Sequence, residues 1–232
     1  MTGYIHSIQT LGTLDGPGVR CVIFLQGCPL RCQYCHNPDT WKMKTGTRIS
    51  VENLLKRVLR CRPYFGCDGG VTVSGGEPLL QAGFVTEFFK ACKENGIHTA
   101  LDTSGCIWNE RIDDLLSVCD LCLLDMKALS ESAYRELCGG SFVQTMFFLK
   151  KLQKKAVPVW IRHVVVPGYN DAQRDIIELK AALSDYTCVK KVELLPFQNL
   201  CIEKYNALGI SFPLADTPQL EQNVLQKLQA LL

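Results

Sequence analysis

Residues 19–35, VRCVIFLQGCPLRCQYC, join an apolar run with strand character to a loop that carries three cysteines. Cys28, Cys32 and Cys35 follow the spacing C-x3-C-x2-C and fall within eight positions. A structural zinc site uses four ligands, and a disulfide framework uses cysteines in pairs. Three clustered thiols therefore indicate a site in which a fourth coordination position stays open.

The pattern of this first run recurs along the chain. Five more short runs are nearly continuous in apolar residues, as in parallel strands covered on both faces, and segments with helical periodicity separate them. Six strand–helix units are fewer than the eight of a closed (β/α)8 barrel. We therefore expect an α/β fold, a partial, open (β/α)6 barrel with a parallel sheet, that forms one domain over residues 1–232.

The predicted elements can be assigned to residues. The strands are 19–27, 70–77, 98–105, 120–127, 157–168 and 191–197. The helices are 51–61, 82–95, 110–118, 130–137, 142–155 and 171–186. Ser50 is placed to cap the first helix and Gly96 to end the second. The tail 214–232 is expected to form a last helix, capped by Asp216 or Thr217.

The composition limits the classes of partner. The chain has 232 residues and a formal net charge of +2, which gives no electrostatic reason to expect nucleic acid or a membrane as partner. The first residues of the sequence have neither a basic n-region nor an apolar h-region, and no window approaches the ~18 uncharged apolar residues that span a bilayer. We therefore expect a cytoplasmic protein. In that reducing compartment, 13 cysteines indicate a metal site for the clustered ones and small apolar fillers elsewhere.

Polar residues gather late in four of the predicted strands. They are Gly75-Gly76-Glu77, Asp102-Thr103, Asp125 with Lys127, and Arg162-His163. The carboxyl edge of a parallel sheet is where α/β proteins bind ligands, and the cysteine loop follows the first strand at the same edge. We expect these five segments to converge on one mouth.

The residues allow three interpretations of the cysteine loop. Positions 28, 32 and 35 match an apolar stripe on a helix, but Pro29 and the turn-like segment 36–39 argue against a helix there. Zinc would need a fourth ligand, and His36 is poorly placed for that because it directly follows Cys35. A 4Fe–4S cluster held by three cysteines leaves one iron open for a substrate or cofactor, and the spacing favours this interpretation.

On these residues the sequence resembles the radical SAM enzymes. Their C-x3-C-x2-C signature is matched by the three cysteines, with the aromatic Tyr34 before the last of them, and Gly75-Gly76-Glu77 resembles their GGE motif. Further blocks resemble, in the same order, the glycyl-radical activating enzymes of that family. These blocks are HSIQTLGTLDGPGVR, CHNPDTW, VTVSGGEPLLQ, GIHTALDTSG, LLDMK, WIRHVVVPGYND and KVELLPF.

The resemblance implies cofactors and the residues that bind them. One 4Fe–4S cluster would be bound by Cys28, Cys32 and Cys35, and its open iron would hold S-adenosylmethionine. The cofactor-binding positions that it implies are Tyr34, Cys35, His36, Gly75, Gly76, Glu77, Asp125, Met126, Lys127 and Gln198. A monovalent cation, Na⁺ or K⁺, would be bound by Asp102, Thr103 and the backbone carbonyl of Leu123. The implied catalytic residues are Asp15, His36 and Lys127, with Asp15 and His36 near the glycine to be oxidised.

The resemblance also implies a reaction and partners. A reduced cluster passes one electron to the sulfonium of S-adenosylmethionine, and the resulting radical removes a hydrogen from a glycine of a partner enzyme. We therefore expect a monomeric oxidoreductase of anaerobic metabolism that serves a glycyl-radical enzyme of the pyruvate formate-lyase type, with flavodoxin or ferredoxin as electron donor. Two other hypotheses stay open: radical chemistry on another target, either anaerobic ribonucleotide reductase or a small molecule, and a non-catalytic metal or redox-sensing module.

Several of these positions have structural interpretations as well. Asp15 could form an Asx turn in LDGPG, Asp125 could cap the helix that follows it, and the DTSG segment at 102–105 could be an ordinary turn. Gln198 stands where one activating enzyme that the sequence resembles carries a histidine. Glutamine donates and accepts hydrogen bonds but does not titrate as an imidazole does.

Cys61 and Cys67 have no counterpart in that same activating enzyme. Two additional thiols do not make a second four-cysteine cluster, and no ferredoxin-like insert lies between Trp41 and Ile49. We interpret both cysteines as local variation rather than as ligands.

Overall fold

The computed structural model describes residues 1–232. Its strands are β1 (Thr2–Gly12), β2 (Arg20–Leu25), β3 (Thr47–Ser50), β4 (Gly70–Gly75), β5 (His98–Thr103), β6 (Leu121–Asp125), β7 (Val159–Val165) and β8 (Val189–Pro196). They form one sheet in the order β3-β1-β2-β4-β5-β6-β7-β8, and the outer strands β3 and β8 do not pair with each other. The strand β2 and the five strands from β4 to β8 run parallel. The expected α/β fold, a partial, open barrel with six parallel strands, is confirmed.

Eight helices pack against the sheet, against neighbouring helices or against the loops at the strand ends. They are α1 (Val51–Leu59), α2 (Ala82–Glu94), α3 (Glu110–Leu116), α4 (Glu131–Cys138), α5 (Phe142–Lys154), α6 (Gln173–Leu183), α7 (Ile202–Leu208) and α8 (Gln222–Gln229). The hydroxyl of Ser50 accepts the backbone N–H of Asn53 at the start of α1, and Gly96 follows α2 with φ +65°. None of these helices has the length and apolarity needed to cross a membrane.

Two strands at the edge of the sheet have no counterpart in the prediction. β1 pairs antiparallel with both β2 and β3, so the sheet has eight strands rather than six. β1 shows two register shifts against β2 and leaves much of its length exposed. It therefore has neither the continuous apolar run of a covered strand nor a clean alternation, and the criterion used for the other strands misses it.

The C-terminal tail also differs from the prediction. α8 begins at Gln222 with Glu221 at the N-cap position, and neither Asp216 nor Thr217 caps it. The reason is that the backbone N–H of Leu220 donates to Phe197 O at 3.1 Å, which ties the segment before α8 to the end of the sheet. α7 is a further helix that the prediction lacks.

Side chains alternate along each parallel strand between a helix-facing core and the interior of the barrel. The helix-facing core contains 42 buried residues. Inside the barrel, an apolar layer is formed by Ala100, Leu121, Leu123 and the partly buried Trp160. Two residues further along three of these strands stand Asp102, Asp125 and Arg162, as the alternation dictates. Apolar residues thus fill the middle of the barrel, and charged residues stand at its carboxyl end.

Arg20 closes the opposite, amino end of the barrel. Its side chain is fully buried, its Nε donates to Thr72 Oγ1 at 3.0 Å, and its Nη1 lies 3.2 Å from the Nδ1 of His98. Thr72 in turn donates its hydroxyl to the backbone carbonyl of Asp15 at 2.6 Å. Because these groups occupy the amino end, only the carboxyl end remains open to a ligand.

Candidate active site

A cleft of about 250 Å³ lies at the carboxyl end of the parallel strands. The residues from the predicted set that line it are Cys28, Cys32, Tyr34, Cys35, His36, Gly75, Gly76, Asp102, Thr103, Asp125 and Lys127. The predicted residues that are not part of its lining are Asp15, Glu77, Leu123, Met126 and Gln198. The structure therefore brings the cysteine loop and the ends of four strands to one place, as the sequence predicted.

The cysteine loop is an irregular segment. Residues 28–37 contain no helix, so the interpretation of its cysteines as a helical stripe is wrong. The side-chain amide of Gln26 donates to the carbonyls of Asp39 and Lys42, both at 3.0 Å, and closes the base of the loop. The loop presents all three cysteines to the cleft.

The three thiols differ in their electrostatic surroundings. Burial raises the pKa of Cys28, with the negative charge of Glu77 adding to the effect, and burial raises the pKa of Cys35 to about 11. A hydrogen bond from Cys138 and the positive charge of Lys127 outweigh burial at Cys32 and lower its pKa to about 7. No three His, Cys, Asp or Glu side chains converge on the position of a single metal ion. The three thiols therefore line the cleft but do not surround the position of a single metal ion.

Gly75 and Gly76 form a ledge of bare backbone beside the cysteine loop. Gly75 has φ +106°, and a β-carbon on it would lie 2.4 Å from the backbone nitrogen of Leu25. A β-carbon on Gly76 would lie 2.2 Å from the carbonyl oxygen of Gly27. The backbone at the end of β4 therefore lies closer to β2 and to the start of the loop than a side chain would allow.

Glu77 lies behind this ledge. It is 1% exposed, and its carboxylate accepts the hydroxyls of Thr103 and Ser104 and the backbone N–H of Ser104 at 3.0 Å. Glu77 thus joins the ends of β4 and β5, and the Thr103 hydroxyl predicted to bind a cation is directed to Glu77.

A second set of charges forms the floor of the cleft. Arg162 Nη1 lies 3.3 Å from Asp102 Oδ2, and Ser74 donates its hydroxyl to the same oxygen at 2.7 Å. Burial raises the pKa of Asp102 to about 6 against the opposing charge of Arg162. The Nε of Arg162 is buried without a hydrogen-bond partner. Burial likewise raises the pKa of Asp15, whose charge Arg162 and Arg20 both favour.

Asp125 and Lys127 form an ion pair at the wall of the cleft, with Lys127 Nζ 2.9 Å from Asp125 Oδ2. The same Nζ is 5.7 Å from the ring centroid of Tyr34, within the range of a cation–π contact. Burial disfavours the charge of Lys127, but Asp125 and neighbouring groups outweigh burial and raise its pKa. A fixed cation therefore lies between the cysteine loop and the end of β6.

His36 stands at the rim of the cleft and contacts the main chain of Gln198. Its Nε2 donates to the backbone carbonyl of Gln198 at 2.9 Å. The side chain of Gln198 is not part of the cleft lining, so this structure joins His36 and Gln198 through the main chain of Gln198.

His163 does not face the mouth, in contrast to the prediction for Arg162-His163. It is fully buried, and its Nδ1 donates to Met126 O at 2.6 Å while its Nε2 accepts from the Asn170 amide at 3.0 Å. The alternation of β7 explains this, because neighbouring residues on a strand point to opposite faces. His163 holds the main chain of Met126 from behind the cleft.

Sequence reasoning missed several residues near the site. Ser74 lines the cleft, and the two-residue alternation of β4 could have found it. Cys106 and Cys138 pack in the same apolar cluster as the cysteine loop, but no local pattern links residues so far apart in the chain. Cys61 is buried and within 3.9 Å of Arg57 O, and Cys67 is exposed. Neither Cys61 nor Cys67 lines the cleft.

Comparison with known proteins shows which family the chain matches. Residues 22–179 match the model of the Radical SAM superfamily. A pyruvate formate-lyase-activating enzyme from Clostridium pasteurianum is 45% identical over 231 residues, which cover 99% of this chain and 97% of that protein. The enzyme of the same name from Staphylococcus aureus strain USA300 is 44% identical over 224 residues, 93% of this chain and 89% of that protein.

Solved structures show the same fold. A domain of a pyruvate-formate lyase-activating enzyme from Bacteroides vulgatus has a TM-score of 0.58 at 24% identity, and the match covers 70% of this chain and 92% of that one. A radical SAM methyltransferase from Sphaerobacter thermophilus has a TM-score of 0.67 at 13% identity, covering 99% of this chain and 74% of that one.

Proposed function

The chain belongs to the radical SAM superfamily, and from this premise we propose that it activates a glycyl-radical enzyme of the pyruvate formate-lyase type. The observation that carries the proposal is the cleft, which is lined by three cysteines of one loop, by the Gly75-Gly76 ledge and by Lys127. The curated relatives at 44–45% identity, which bear the name of that activating enzyme, support the same target.

The residues of the cleft fit the cofactors that the family implies. Three cysteines are the thiolate ligands that iron–sulfur clusters use, and no fourth cysteine lines the cleft. Gly75 and Gly76 line the cleft without side chains and so present only main chain to a ligand there. A 4Fe–4S cluster with S-adenosylmethionine supplies, when bound, reductive cleavage of the sulfonium and the power to abstract a hydrogen atom.

The residues of the cleft would hold the cofactors and shield them from water. Cys28, Cys32 and Cys35 would ligate the cluster, and the ledge would receive the polar end of the methionyl group through its main chain. Lys127 is held charged by Asp125 and provides a fixed positive charge for an anionic group in the cleft. The apolar layer beneath the floor keeps water from entering the cleft from below.

Arg162 in the floor of the cleft and the nearby Asp15 are polar groups available to a further ligand. Arg162 has an unpaired Nε, and the carboxyl group of Asp15 is close enough for the charge of Arg162 to act on it. We propose that Asp15 and His36 lie near the glycine-bearing segment of the partner when it is bound. The proposed ligands of a monovalent cation remain Asp102, Thr103 and the carbonyl of Leu123. Binding of this ion would require Asp102 to give up its contact with Arg162.

We further propose that residues 1–232 form one domain that acts as a monomer and receives its electron from flavodoxin or ferredoxin. The continuous eight-stranded sheet supports the single domain. The need for an external one-electron donor follows from the proposed reductive cleavage.

Anaerobic reconstitution with iron and sulfide tests the function. We expect wild-type protein to cleave S-adenosylmethionine under a strong reductant and to generate the electron paramagnetic resonance doublet of a glycyl radical in added pyruvate formate-lyase. Cys32→Ala should abolish both. Cys92→Ala removes a fully buried cysteine of α2 and should retain both. Full activity in Cys32→Ala, or cleavage without a doublet, would contradict the proposal.

A further inference from the structure

A strongly basic segment follows the cysteine loop. Residues 42–62 contain seven Lys or Arg and one Asp or Glu, a net charge of +6. The whole chain contains 25 and 23 of these residues, so the rest of the chain has 18 and 22 and a net charge of −4. The near-neutral total therefore conceals a separation of charge, and the field of this segment attracts an acidic partner.

The basic side chains of this segment face the solvent. They are Lys42, Lys44, Arg48, Lys56, Arg57, Arg60 and Arg62, and all seven are exposed. Only Lys56 pairs with a carboxylate, that of Glu52 at 2.6 Å. Arg48, Lys56, Arg57 and Arg60 line one groove between β3 and α1. Six positive charges thus have no counter-charge within the protein, and we call residues 42–62 the basic face.

The basic face begins beside the cysteine loop. The N–H of Cys28 donates to Trp41 O at 3.3 Å, one residue before the face begins. Thr47, the first residue of β3, pairs with Ile5, and Ile5 also pairs with Leu25 at the carboxyl end of β2. The start of β3 therefore lies level with the residues that lead into the cysteine loop.

Two exposed apolar side chains cover the main chain between the basic face and Cys28. A β-carbon at Gly27 would lie 2.9 Å from Met43 Sδ and 3.6 Å from Leu80 Cδ1. Met43 is 44% exposed and Leu80 is 38% exposed. Protein interfaces combine an apolar centre with a polar rim. Met43 and Leu80 supply such a centre next to the residue that precedes Cys28.

We propose that the basic face, together with Met43 and Leu80, docks an acidic one-electron carrier protein that reduces the cluster. This inference rests on the proposed function. One electron leaves the reduced carrier and is taken up by the oxidised cluster, and no bond or proton is exchanged at the face. Neither Leu80 nor any residue of the basic face lines the cleft, so a bound carrier leaves the cleft free for S-adenosylmethionine and the glycine-bearing segment.

The position of the face favours a carrier over the glycyl-radical enzyme as its occupant. Electron transfer slows steeply with distance, and the face adjoins Gly27 and Cys28. The helix α4, which also contacts the cysteine loop, carries Glu131 and Glu136 against the single charge of Arg135. It therefore lacks the charge that would attract an acidic carrier. The glycyl-radical enzyme has to place its glycine in the cleft itself.

Binding of an acidic flavodoxin to the reconstituted protein tests the proposal without turnover. Amide chemical shifts of the wild type should change within residues 42–62 during the titration. In the triple variant Lys44→Glu, Arg57→Glu and Arg60→Glu, we expect Kd at low ionic strength to rise by about tenfold or more. Added salt should raise the Kd of the wild type towards that of the variant, because salt screens exposed charges.

Reductive cleavage of S-adenosylmethionine separates docking from chemistry. With reduced flavodoxin, kcat/KM for the carrier should fall by about tenfold in the triple variant. With photoreduced 5-deazariboflavin, a small uncharged reductant, the variant should match the wild type in cleavage and in the glycyl-radical doublet of added pyruvate formate-lyase.

Two controls separate local charge from net charge and from folding. Lys150→Glu, Lys154→Glu and Lys227→Glu change the net charge equally at exposed residues of α5 and α8, and Kd should stay within about twofold of the wild type. Glutamine at the same three positions of the basic face should give an intermediate Kd. Equal Kd values in the basic-face and control variants, shift changes outside the face, or binding of neither flavodoxin nor an acidic ferredoxin to the wild type overturn the proposal.

The outcomes distinguish this inference from the function on which it rests. If the reconstituted wild type does not cleave S-adenosylmethionine with 5-deazariboflavin, the proposed function fails and the inference fails with it. If the wild type does so but the triple variant loses that cleavage or only the doublet, the face serves the reaction or the glycyl-radical enzyme. The inference alone is then wrong.

Discussion

Gly76 is the residue of the site with the least room for a side chain. A β-carbon there would lie 2.2 Å from the carbonyl oxygen of Gly27, so Gly76→Ala has to push the ledge and the cysteine loop apart. We expect the variant to lower the free energy of unfolding of the cluster-free protein by about 1–3 kcal/mol, as overpacking does. Urea titration measures this.

Gly83→Ala is the matched control for Gly76→Ala. Gly83 lies in α2, and the atoms nearest to a β-carbon there, on Met1 and Arg111, are 3.6–3.8 Å away. Alanine favours helix over glycine, so we expect Gly83→Ala to be neutral or to stabilise by about 0.5–1 kcal/mol. Equal effects of the two substitutions would show that the ledge is not tightly packed.

His163 should make stability depend on pH. Burial lowers its pKa from 6.5, so below pH 6.5 the unfolded chain binds a proton that the folded protein does not. The free energy of unfolding should therefore fall as the pH drops below about 6.5, by up to about 1.4 kcal/mol per pH unit, until the folded pKa is reached.

The variant His163→Gln isolates this contribution. Its unfolding free energy should fall less steeply below pH 6.5 than that of the wild type in urea titrations of the cluster-free protein. His98, whose pKa burial also lowers, would account for part of the slope that remains. Identical slopes in the two proteins would mean that His163 is protonated in the folded state.

The sequence predicted which residues line the cleft where chemistry and position coincide in one short motif. Cys28, Cys32 and Cys35 could be found because one loop carries them all. Glu77 was predicted at the mouth of the barrel but lies behind it, because its carboxylate is directed to the end of β5. The direction of this side chain depends on packing, which no motif encodes. Cys138 was missed because its relation to Cys32 exists only in three dimensions.

At the scale of elements, α4 acts as the support of the cysteine loop. Its last residue is followed by Gly139 with φ +68°, and this left-handed turn leaves the terminal carbonyls free for Arg31 and Gln33. Gly139→Ala should cost about 1 kcal/mol of stability, because alanine resists that conformation. It should also remove hydrogen-exchange protection from the Arg31 and Gln33 amides.

Gly209→Ala provides the matched control for this element. Gly209 ends α7 with φ +66°, and a β-carbon there, as at Gly139, would have no other atom within 4 Å. The loss of stability should be similar, yet the amides of Arg31 and Gln33 should keep their protection. Equal exchange at these amides in both variants would rule out α4 as the support.

The parallel strands were predictable as elements, and the edge of the sheet was not. Strands covered on both faces appear as continuous apolar runs, which is why β2 and β4 to β8 match the predicted ranges within a few residues. β1 and β3 are held in the sheet by antiparallel pairing, β1 with β2 and β3 with β1. The polar and apolar residues of a half-exposed strand follow no regular period, so its sequence resembles that of a loop.

At the scale of the whole molecule, the two ends of the barrel have different tasks. The carboxyl end collects the residues of the site, whereas Arg20 fills the amino end. Such a division, with stability at one end and chemistry at the other, is usual for β/α barrels. Substitutions at the amino end should therefore affect stability more than cluster binding.

Arg20→Met tests this division. Methionine fills the volume but leaves Thr72 and His98 without their partner, so we expect the free energy of unfolding to fall by about 2–4 kcal/mol. Thr72 would lose its hydrogen bond from Arg20 and would hold the carbonyl of Asp15 less firmly. The segment around Asp15 should therefore exchange its amide hydrogens faster.

Iron bound after anaerobic reconstitution is the second measurement on Arg20→Met. At temperatures where the variant is folded, its iron content should equal that of the wild type, because the cysteine loop depends on α4 and the strand ends rather than on Arg20. Arg174→Met, at a side chain that is 83% exposed, should change stability by less than about 0.5 kcal/mol. A folded Arg20→Met protein that binds no iron would mean that the two ends are coupled through the sheet.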